Sequence, residues 1–352
     1  MQTDKSVERP LHSLRVIEFE GIGPGPLAGR MLSDLGAHVI LVARPTISPV
    51  DRALIGENAE NLLRQGKEII VLDLKTEQGL GAALDLVADA DALIEGNRPG
   101  VMERLGLGPG DCAVRNPRLV YGRMTGWGQS GPLAQAAGHD LNYIALTGLL
   151  SLSGRLGTAP IVPPTVLGDA AGALGLCFGV VSAVLDARSN GRGRVVDAAI
   201  VDVVAMLGTL VQGVRANGQI DGSQPSPFYD SPFYDAYVCA DDRFITIGAL
   251  EPQFYALLLE KLQLNDVDPA SQYDRNQWRG LKARLSELFA SYPSDHWCRL
   301  LEGSDVCFGP VLSIEEAVGH PHNRSRGLYQ KATSGLVRTR GAPRFLPLAT
   351  EQ

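Results

Sequence analysis

Short apolar runs that alternate with amphipathic stretches constrain the fold of the first half of this chain. The run LRVIEF (14–19) precedes a glycine–proline turn GIGPGP (21–26), a helical pattern LAGRMLSDLG and a second apolar run AHVILV (37–42). Strand, helix and strand in this order form a βαβ unit, and its strands pair in parallel because the crossover returns the chain to the same end of the sheet.

The same alternation continues along the chain. Further strands are predicted at residues 68–74, 91–96 and 118–126, and helices at 76–90 and 101–107. The first half is therefore predicted to be an open α/β sheet. From about 165 to 215 two long apolar segments predict helices, separated by a tight surface turn at 187–198.

The composition changes after residue 218. Residues 219–232 are dense in Gly, Ser and Pro, as in a linker. A strand pair is predicted at 236–249, followed by amphipathic helices at 251–262 and 278–292. We expect a small α+β domain at 219–322 and a large domain at 1–218, completed by 323–352.

Charge and cysteine content narrow the function classes. A net charge of −7 and a pI near 5.4 argue against binding nucleic acid or a membrane surface with the protein as a whole. Five cysteines without CxxC spacing indicate reduced thiols in the cytoplasm and no metal site. The N-terminus lacks the apolar run of a signal peptide. The apolar run at 170–185 is short for a membrane span, so we expect it to form a buried, glycine-rich helix.

Several cations follow the predicted strands, where open sheets bind ligands. The loop GIGPGPLAG resembles a dinucleotide fingerprint, but its prolines lack the NH donors that would hold a phosphate. Arg44 stands near the position of the acid in an NAD site and suits a phosphate, which leaves NADP, a 3′-phosphorylated ADP such as that of coenzyme A, or a surface arginine. Lys75, Arg98 and Arg104 each fit a solvated side chain when taken singly, but together they would form an anion-binding rim.

Three residues are candidates for acid–base chemistry. His139 stands in GHDLNYIALTG, and most histidines of this kind are surface or core residues. Asp169, in PPTVLGDAAGALG, has the position of an N-cap for the apolar helix, and Glu251 precedes Pro252 at the start of another helix. Capping alone explains both acids and does not exclude catalysis.

Together these motifs resemble the family III coenzyme A transferase superfamily (CaiB/BaiF type), and within it the α-methylacyl-CoA racemase branch. The resemblance covers nearly the whole chain. It rests on EFEGIGPGPLAGRMLSDLGAHVI, VLDLK, EGNRPGVMERLGLGP, GRMTGWGQSGP, AGHDLNYIALTG, PPTVLGDAAGALG, GRGRVVDAAIVD and IGALEPQFYALL. It implies a Rossmann-like parallel sheet in the large domain, a smaller α+β domain and an interlocked homodimer.

The resemblance also implies residue roles. His139 and Asp169 would be the acid–base pair, with Glu251 hydrogen-bonded to His139. The implied coenzyme A contacts are Arg44, Leu72, Asp73, Leu74, Lys75, Gly96, Asn97, Arg98, Arg104, Gly138, Asp140, Leu141, Asn142 and Tyr143. Arg64 and Lys67 precede a strand where relatives commonly carry a more basic run, and they are left unassigned as phosphate contacts.

The implied reaction inverts the carbon next to the thioester carbonyl of a 2-methylacyl-CoA. One base removes the α-proton, a conjugate acid returns one to the other face, and no further cofactor is required. The enolate oxygen needs fixed donors, such as backbone NH groups of the helix start after Gly168. The alternatives are a CoA transferase with Asp169 as nucleophile, an NADP-linked oxidoreductase and a non-catalytic acyl-CoA-binding protein.

Overall fold

The computed structural model describes residues 9–46, 62–154, 157–220, 225–331 and 337–348. The chain divides into two compact units, one formed by Met1–Ser153, Ile161–Gly208 and Gln330–Gln352, the other by Gly154–Pro160 and Thr209–Tyr329. The main division thus lies at Thr209 and Tyr329, whereas the composition change predicts 219 and 322.

A parallel sheet organises the first unit. Within the described residues its strands are β1 (Arg15–Phe19), β2 (His38–Ala43), β3 (Glu68–Val71), β4 (Ala92–Glu95), β5 (Val120–Thr125) and β6 (Val195–Ala199). Their order is β3-β2-β1-β4-β5-β6, and every pairing is parallel. The predicted α/β sheet is confirmed, and its strand order reverses direction between β1 and β4, where such sheets bind ligands.

Helices cover both faces of this sheet. They are α1 (Pro24–Asp34), α2 (Glu77–Ala88), α3 (Val101–Arg104), α4 (Pro109–Arg115), α5 (Asp140–Leu146), α6 (Ala171–Asn190) and α7 (Ile200–Leu207). Alternate residues of β1 point to opposite faces: Val16 joins the core under α1 and α6, whereas Ile17 and Phe19 join the core under α2. Burial on both faces explains why these strands are apolar throughout.

The region 187–198 differs from its prediction. It is not only a turn, because Val195–Ala199 forms β6 and pairs along β5. Glycines and an alternating polar residue, Asp197, hide the strand in the sequence. The second apolar segment is two helices, α7 and α8 (Thr209–Ala216), rather than one.

Helix α6 packs closely against β6 and α7, as its glycines predict. A Cβ at Gly172, Gly175 or Gly179 would lie 2.8 Å or less from the side chains of Ile200, Val203 and Val196, respectively. Within the described part of the chain, Val166–Asn190 is by length and composition apolar enough to cross a membrane; an 18-residue window of it has a mean hydropathy of 1.8, and 44% of that window is buried. One face of the helix therefore belongs to the core of the sheet.

The second unit contains a small antiparallel sheet. Its strands β7 (Tyr234–Val238), β8 (Phe244–Gly248) and β9 (Phe308–Pro310) lie in that order, and β7 and β8 form the predicted pair. Besides α8, the helices of this unit within the described residues are α9 (Pro252–Lys261), α10 (Arg275–Ala290), α11 (Ser294–Leu301), α12 (Ile314–Gly319) and α13 (Pro321–Arg326). A short pair, β10 (Tyr329–Lys331) and β11 (Val337–Thr339), follows.

The repeated sequence SPFYDSPFYD (226–235) is ordered structure rather than a loose linker. Each SPFY tetrad closes an antiparallel bridge, Ser226 with Tyr229 and Ser231 with Tyr234, and both serines are buried. The aspartates that end the repeats, Asp230 and Asp235, both contact the ammonium group of Lys282 in α10. One lysine thus ties the two repeats to the same helix.

A buried ion pair joins Glu18 of β1 to Lys67, which directly precedes β3 and also contacts α1. Lys67 Nζ is 2.5 Å from Glu18 Oε2 and donates to the carbonyl oxygen of Pro26 at 2.9 Å, and both charged side chains are almost completely buried. The pair fits because position 29 is glycine, where a Cβ would overlap the Glu18 carboxylate. Burial raises the pKa of Glu18 to about 7, although Lys67 opposes that shift. The Lys67 ammonium group is therefore bound inside the protein, to Glu18 and to the backbone of α1, and it is not exposed to bind a phosphate.

This ion pair yields a stability prediction. Lys67→Met leaves the Glu18 carboxylate buried without its partner, so we expect the free energy of unfolding to fall by about 3–5 kcal/mol. The double variant Glu18→Leu/Lys67→Met removes both charges and recovers most of that loss. Urea unfolding followed by circular dichroism measures both effects.

The matched control is Arg194→Met, which breaks an exposed pair with Asp186 and costs only about 0–1 kcal/mol. A Lys67→Met protein as stable as this control contradicts the prediction.

Candidate active site

The predicted coenzyme segments lie along one edge of the parallel sheet. Arg44 directly follows β2, Leu72–Lys75 follow β3, and Gly96–Arg98 follow β4. Because all strands run in the same direction, their carboxyl ends share this edge, which is where open α/β sheets bind ligands. The structure places these segments together; their contact with coenzyme A remains a prediction.

Helix α1 begins at this edge in an unusual way. Its N-cap is Gly23, with a φ of 69°, and Pro24 and Pro26 carry no NH group in the first turn. A Cβ at Gly23 would lie 3.5 Å from Asp169 Oδ2. The glycine therefore leaves the Asp169 carboxylate directly beside the start of α1, and few NH donors remain there for a phosphate.

Asp169 itself is not the N-cap that its sequence position predicts. It lies inside a π-helical turn, Val166–Ala170, that runs directly into α6, whose N-cap is Ala170. The turn is held from outside, since Asp140 Oδ2 accepts hydrogen bonds from the NH groups of Gly168 at 2.9 Å and of Asp169 at 2.7 Å. A Cβ at position 168 would meet that carboxylate at 2.7 Å, which explains the glycine.

The charges around Asp169 tune its acidity. Burial raises the pKa of Asp169, the nearby Asp140 carboxylate raises it further, and His139 lowers it. A carboxylic acid with a raised pKa is a stronger base when ionised and holds its proton nearer to neutral pH, as acid–base catalysis requires.

The predicted enolate donors after Gly168 are already used. The NH groups of Gly168 and Asp169 bond to Asp140, and that of Ala170 bonds to the Thr165 carbonyl oxygen at 3.1 Å. At the start of α5, in contrast, the NH groups of Asp140 and Leu141 have no acceptor among the residues that the structure describes. Donors for an oxyanion are therefore available at α5 rather than at α6.

His139 is the N-cap of α5 and leaves its imidazole exposed. Its backbone NH donates to Asn142 Oδ1 at 3.0 Å, and the carbonyl oxygen of His139 accepts from the NH groups of Asn142 and Tyr143. The imidazole makes no capping hydrogen bond. The backbone thus fixes His139 at the helix start and leaves the ring exposed, and its charge acts on Asp169 strongly enough to lower the pKa of that carboxyl.

Tyr143 holds this segment to the neighbouring loop. Its hydroxyl donates to the Gly138 carbonyl oxygen, and its ring packs edge-on against Trp127 with centroids 4.7 Å apart. A Cβ at Gly126 would overlap the Tyr143 ring, and one at Gly138 would lie 2.8 Å from it. Gly126 and Trp127 were not predicted as site residues. The closely spaced glycines in GRMTGWGQSGP are the sequence signal that could have found them.

The remaining coenzyme candidates have diverse surroundings. Arg44 is half-exposed and contacts Glu20 Oε2 through its backbone NH at 2.9 Å and its Nε at 3.3 Å. Asp73 Oδ1 accepts the NH of Lys75 at 3.0 Å, which shapes the loop after β3. The Arg104 guanidinium lies over Gly100 at the start of α3. Among these, Arg44, Lys75 and Arg104 are the cations that a phosphate could approach.

Glu251 belongs to the second unit. It is the N-cap of α9, with Pro252 at the first helical position as predicted, and its carboxylate makes no capping hydrogen bond. Its hydrogen bond to His139 stays a prediction. No group of three His, Cys, Asp or Glu side chains suited to a metal ion occurs in the described ranges, and the metal question also stays a prediction.

The geometry around Asp140 predicts a shift in Asp169. Asp140→Asn keeps an oxygen for the two NH groups but removes the negative charge, so the pKa of Asp169 should fall. A carbon-13 NMR titration of aspartate-labelled protein, assigned with Asp169→Asn, measures it. An unchanged or raised pKa would contradict the coupling; Asp111→Asn, at the start of α4, is the control.

Comparisons with known proteins identify the family of the chain. The α-methylacyl-CoA racemase of Mus musculus is 39% identical over 336 residues, covering 95% of this chain and 86% of the mouse protein, and the Homo sapiens racemase is 37% identical over 346 residues, covering 96% and 86%. An acetyl-CoA:oxalate CoA-transferase of Acetobacter aceti is 30% identical, covering 95% and 88%. A crystal structure of the hypothetical protein Rv3272 from Mycobacterium tuberculosis superimposes with a TM-score of 0.79 at 30% identity, covering 96% of this chain and 93% of that one. The profile of CoA-transferase family III matches residues 11–350, and the chain belongs to this family of enzymes.

Proposed function

We propose that this protein is an α-methylacyl-CoA racemase, which interconverts the (2R) and (2S) forms of a 2-methylacyl-CoA thioester. The observation that carries the proposal is that Asp140, which directly follows His139, accepts hydrogen bonds from the NH groups of Gly168 and Asp169, so that His139 and the half-buried Asp169 stand on two segments held together. The similarity to the mouse and human racemases supports it.

The reaction needs two groups, one that removes a proton from the substrate and one that returns a proton to it. When Asp169 is ionised and His139 protonated, the carboxylate removes the α-proton from one enantiomer. The electrons of the broken C–H bond form an enolate, and the imidazolium returns a proton to the opposite face. The reverse direction exchanges the roles, so the proton count balances and no redox or metal cofactor enters.

Two features of the site suit this chemistry. An imidazole can both accept and donate a proton, and burial, followed by the Asp140 charge, raises the pKa of Asp169, which makes its carboxylate a stronger base. The unpartnered NH groups of Asp140 and Leu141 are candidates to hold the enolate oxygen, and such donors often lower the barrier more than any other single group. Coenzyme A enters as part of the substrate, along the edge that carries Arg44, Lys75 and Arg98.

A CoA transferase is the second candidate. The similarity to the oxalate CoA-transferase supports it, and Asp169 beside Gly23 has room to attack a thioester and release CoA as the thiol, with an aspartyl anhydride and then an aspartyl thioester on the path. The position of His139 favours the racemase, because this transfer needs no second acid–base group. An NADP-linked oxidoreductase is disfavoured by the prolines at the start of α1.

We also propose a homodimer in the cytoplasm. Leu174, Phe178, Val181 and Leu185 form an exposed apolar stripe on α6, and Phe178 and Leu185 are 71% and 73% exposed. Residues at this spacing share one helix face, and an exposed apolar face of this kind marks an interaction surface. A second copy is the partner that the family resemblance predicts, and the reduced thiols fit the cytoplasm.

Incubation of one enantiomer of a 2-methylacyl-CoA in deuterated water tests the racemase. We expect deuterium at the α-carbon together with loss of optical purity, measured by NMR and chiral chromatography. His139→Ala should slow the exchange by about 10²–10⁴-fold, because one acid–base partner is lost, while calorimetry shows unchanged affinity for CoA.

His322→Ala, which removes an exposed histidine of α13, is the matched control and should exchange at the wild-type rate. No exchange by the wild type, combined with transfer of CoA to an added carboxylate, would make the protein a transferase with Asp169 as its nucleophile.

The dimer predicts a size change on substitution of the stripe. Phe178→Asp places a charge in the centre of the proposed interface, so sedimentation velocity should detect a shift from dimer to monomer. Val114→Asp changes a residue that is equally apolar and 85% exposed on α4, and it should remain dimeric. A wild-type protein that sediments as a monomer would refute the dimer.

A further inference from the structure

Arg123 is a nearly buried arginine near the carboxyl end of β5, and the sequence pattern alone gives it no role. It stands on β5, and its side chain is 9% exposed. Its guanidinium contacts the carboxylate of Glu103, donates to Gln129 Oε1 at 2.7 Å and approaches Glu95 Oε1 to 3.5 Å. A planar guanidinium has enough donors to serve several acceptors in different directions, which a lysine cannot match.

Each of these partners belongs to a different segment around the predicted coenzyme site. Glu95 is the last residue of β4 and directly precedes Gly96–Arg98. Glu103 lies in α3 next to Arg104. Gln129 belongs to the loop after β5, which is anchored by the bond from the Gln129 NH to Asp197 Oδ2 at 3.0 Å. Arg123 is thus the common contact of three segments.

Glu95 connects Arg123 to the backbone of the loop after β4. Its Oε2 accepts the NH of Asn97 at 2.7 Å, while its Oε1 faces Arg123. Glu95 is 2% exposed, and burial raises its pKa to about 7, whereas the Asn97 hydrogen bond and Arg123 act in the opposite direction. The Arg123 charge therefore favours the ionised carboxylate that holds the Asn97 NH.

The loop after β4 also adjoins the segment that carries His139. The Gln135 side chain donates to the Pro99 carbonyl oxygen at 3.3 Å. The pKa of Tyr143 is raised by burial and by Asp169 and is lowered by Arg98, so the Arg98 charge acts at the same phenol as Asp169. A displacement of the loop would therefore move Arg98 relative to the acid–base residues.

We propose that Arg123 is a positioning residue that, through Glu95, Glu103 and Gln129, holds the Gly96–Arg98 loop in the conformation that binds the CoA portion of the substrate. It touches neither substrate nor reacting atoms and acts through the loop. The inference rests on the proposed function, because it assumes that this edge binds CoA.

The test compares Arg123→Met and Arg123→Lys with wild type. Arg194→Met is the matched control, since it removes an arginine from an exposed pair with Asp186 away from this edge. Calorimetry gives the dissociation constant of free CoA and the fraction of binding-competent protein, and the deuterium-exchange assay gives KM and kcat. Thermal unfolding reports whether each variant is folded.

We expect Arg123→Met to weaken CoA binding and to raise KM by about tenfold or more, the loss that follows from removing a charged hydrogen-bond partner. The kcat at saturating substrate should stay close to that of wild type, because His139 and Asp169 are intact. Arg123→Lys should be intermediate, and Arg194→Met should match wild type. If Arg123 only stabilised the fold, Arg123→Met would instead lower the fraction of protein able to bind CoA and would lower kcat, without a selective rise in KM.

Other outcomes separate the possible failures. If wild type binds CoA and Arg123→Met binds it as tightly as Arg194→Met, the inference is wrong and the proposed function stands. If wild type does not bind CoA, the proposed function fails and the inference fails with it. If Arg123→Met does not fold, Glu103→Gln and Arg123→Lys take its place, and unchanged CoA affinity in both overturns the inference.

Discussion

The hydrogen bonds from the NH groups of Gly168 and Asp169 to the buried Asp140 carboxylate are the interaction on which the site depends. Asp140 directly follows His139, so one side chain fixes the backbone of both acid–base candidates relative to each other. It also occupies two NH groups of the π-helical turn that precedes α6, whereas the NH groups of Asp140 and Leu141 at the start of α5 have no acceptor among the described residues. The same negative charge raises the pKa of Asp169. Asp140 therefore fixes the position of Asp169 and adds to the effect of burial on its acidity.

Buried charge recurs near the carboxyl ends of the parallel strands. Lys67 and Glu18 lie beneath α1, and Arg123 faces Glu95 beneath the loop after β4. Removing such charges from water is costly unless each is paired and hydrogen-bonded. Both pairs also bond to the backbone of a segment at the edge, Lys67 to the Pro26 carbonyl oxygen and Glu95 to the Asn97 NH. The hydrogen bonds that satisfy these buried charges thus also fix two backbone segments. Apolar side chains form no directional hydrogen bonds and could not fix the segments in the same way.

The sequence predicted the sheet well because its signals are local. An apolar run such as AHVILV, or the glycine–proline turn before α1, can be recognised from residues that are adjacent in the sequence. Strand β6 was missed because Asp197 and the glycines before it interrupt the apolar pattern, and only pairing with β5 makes it a strand. Asp169 was predicted as an N-cap because its position before an apolar helix is typical of one. The π-helical turn arises instead from Asp140, which is remote in sequence.

By itself the sequence determined the order of the first five strands, the residue types after them and, through its motifs, the family. Only the tertiary structure decided which of these residues act together. It buried Lys67 in an ion pair, engaged the NH groups after Gly168, and made Arg123 the centre of three segments. The physical reason is that hydrogen bonds and charge pairs between residues far apart in the chain leave no periodic or spacing signal, since their geometry exists only once the strands are aligned.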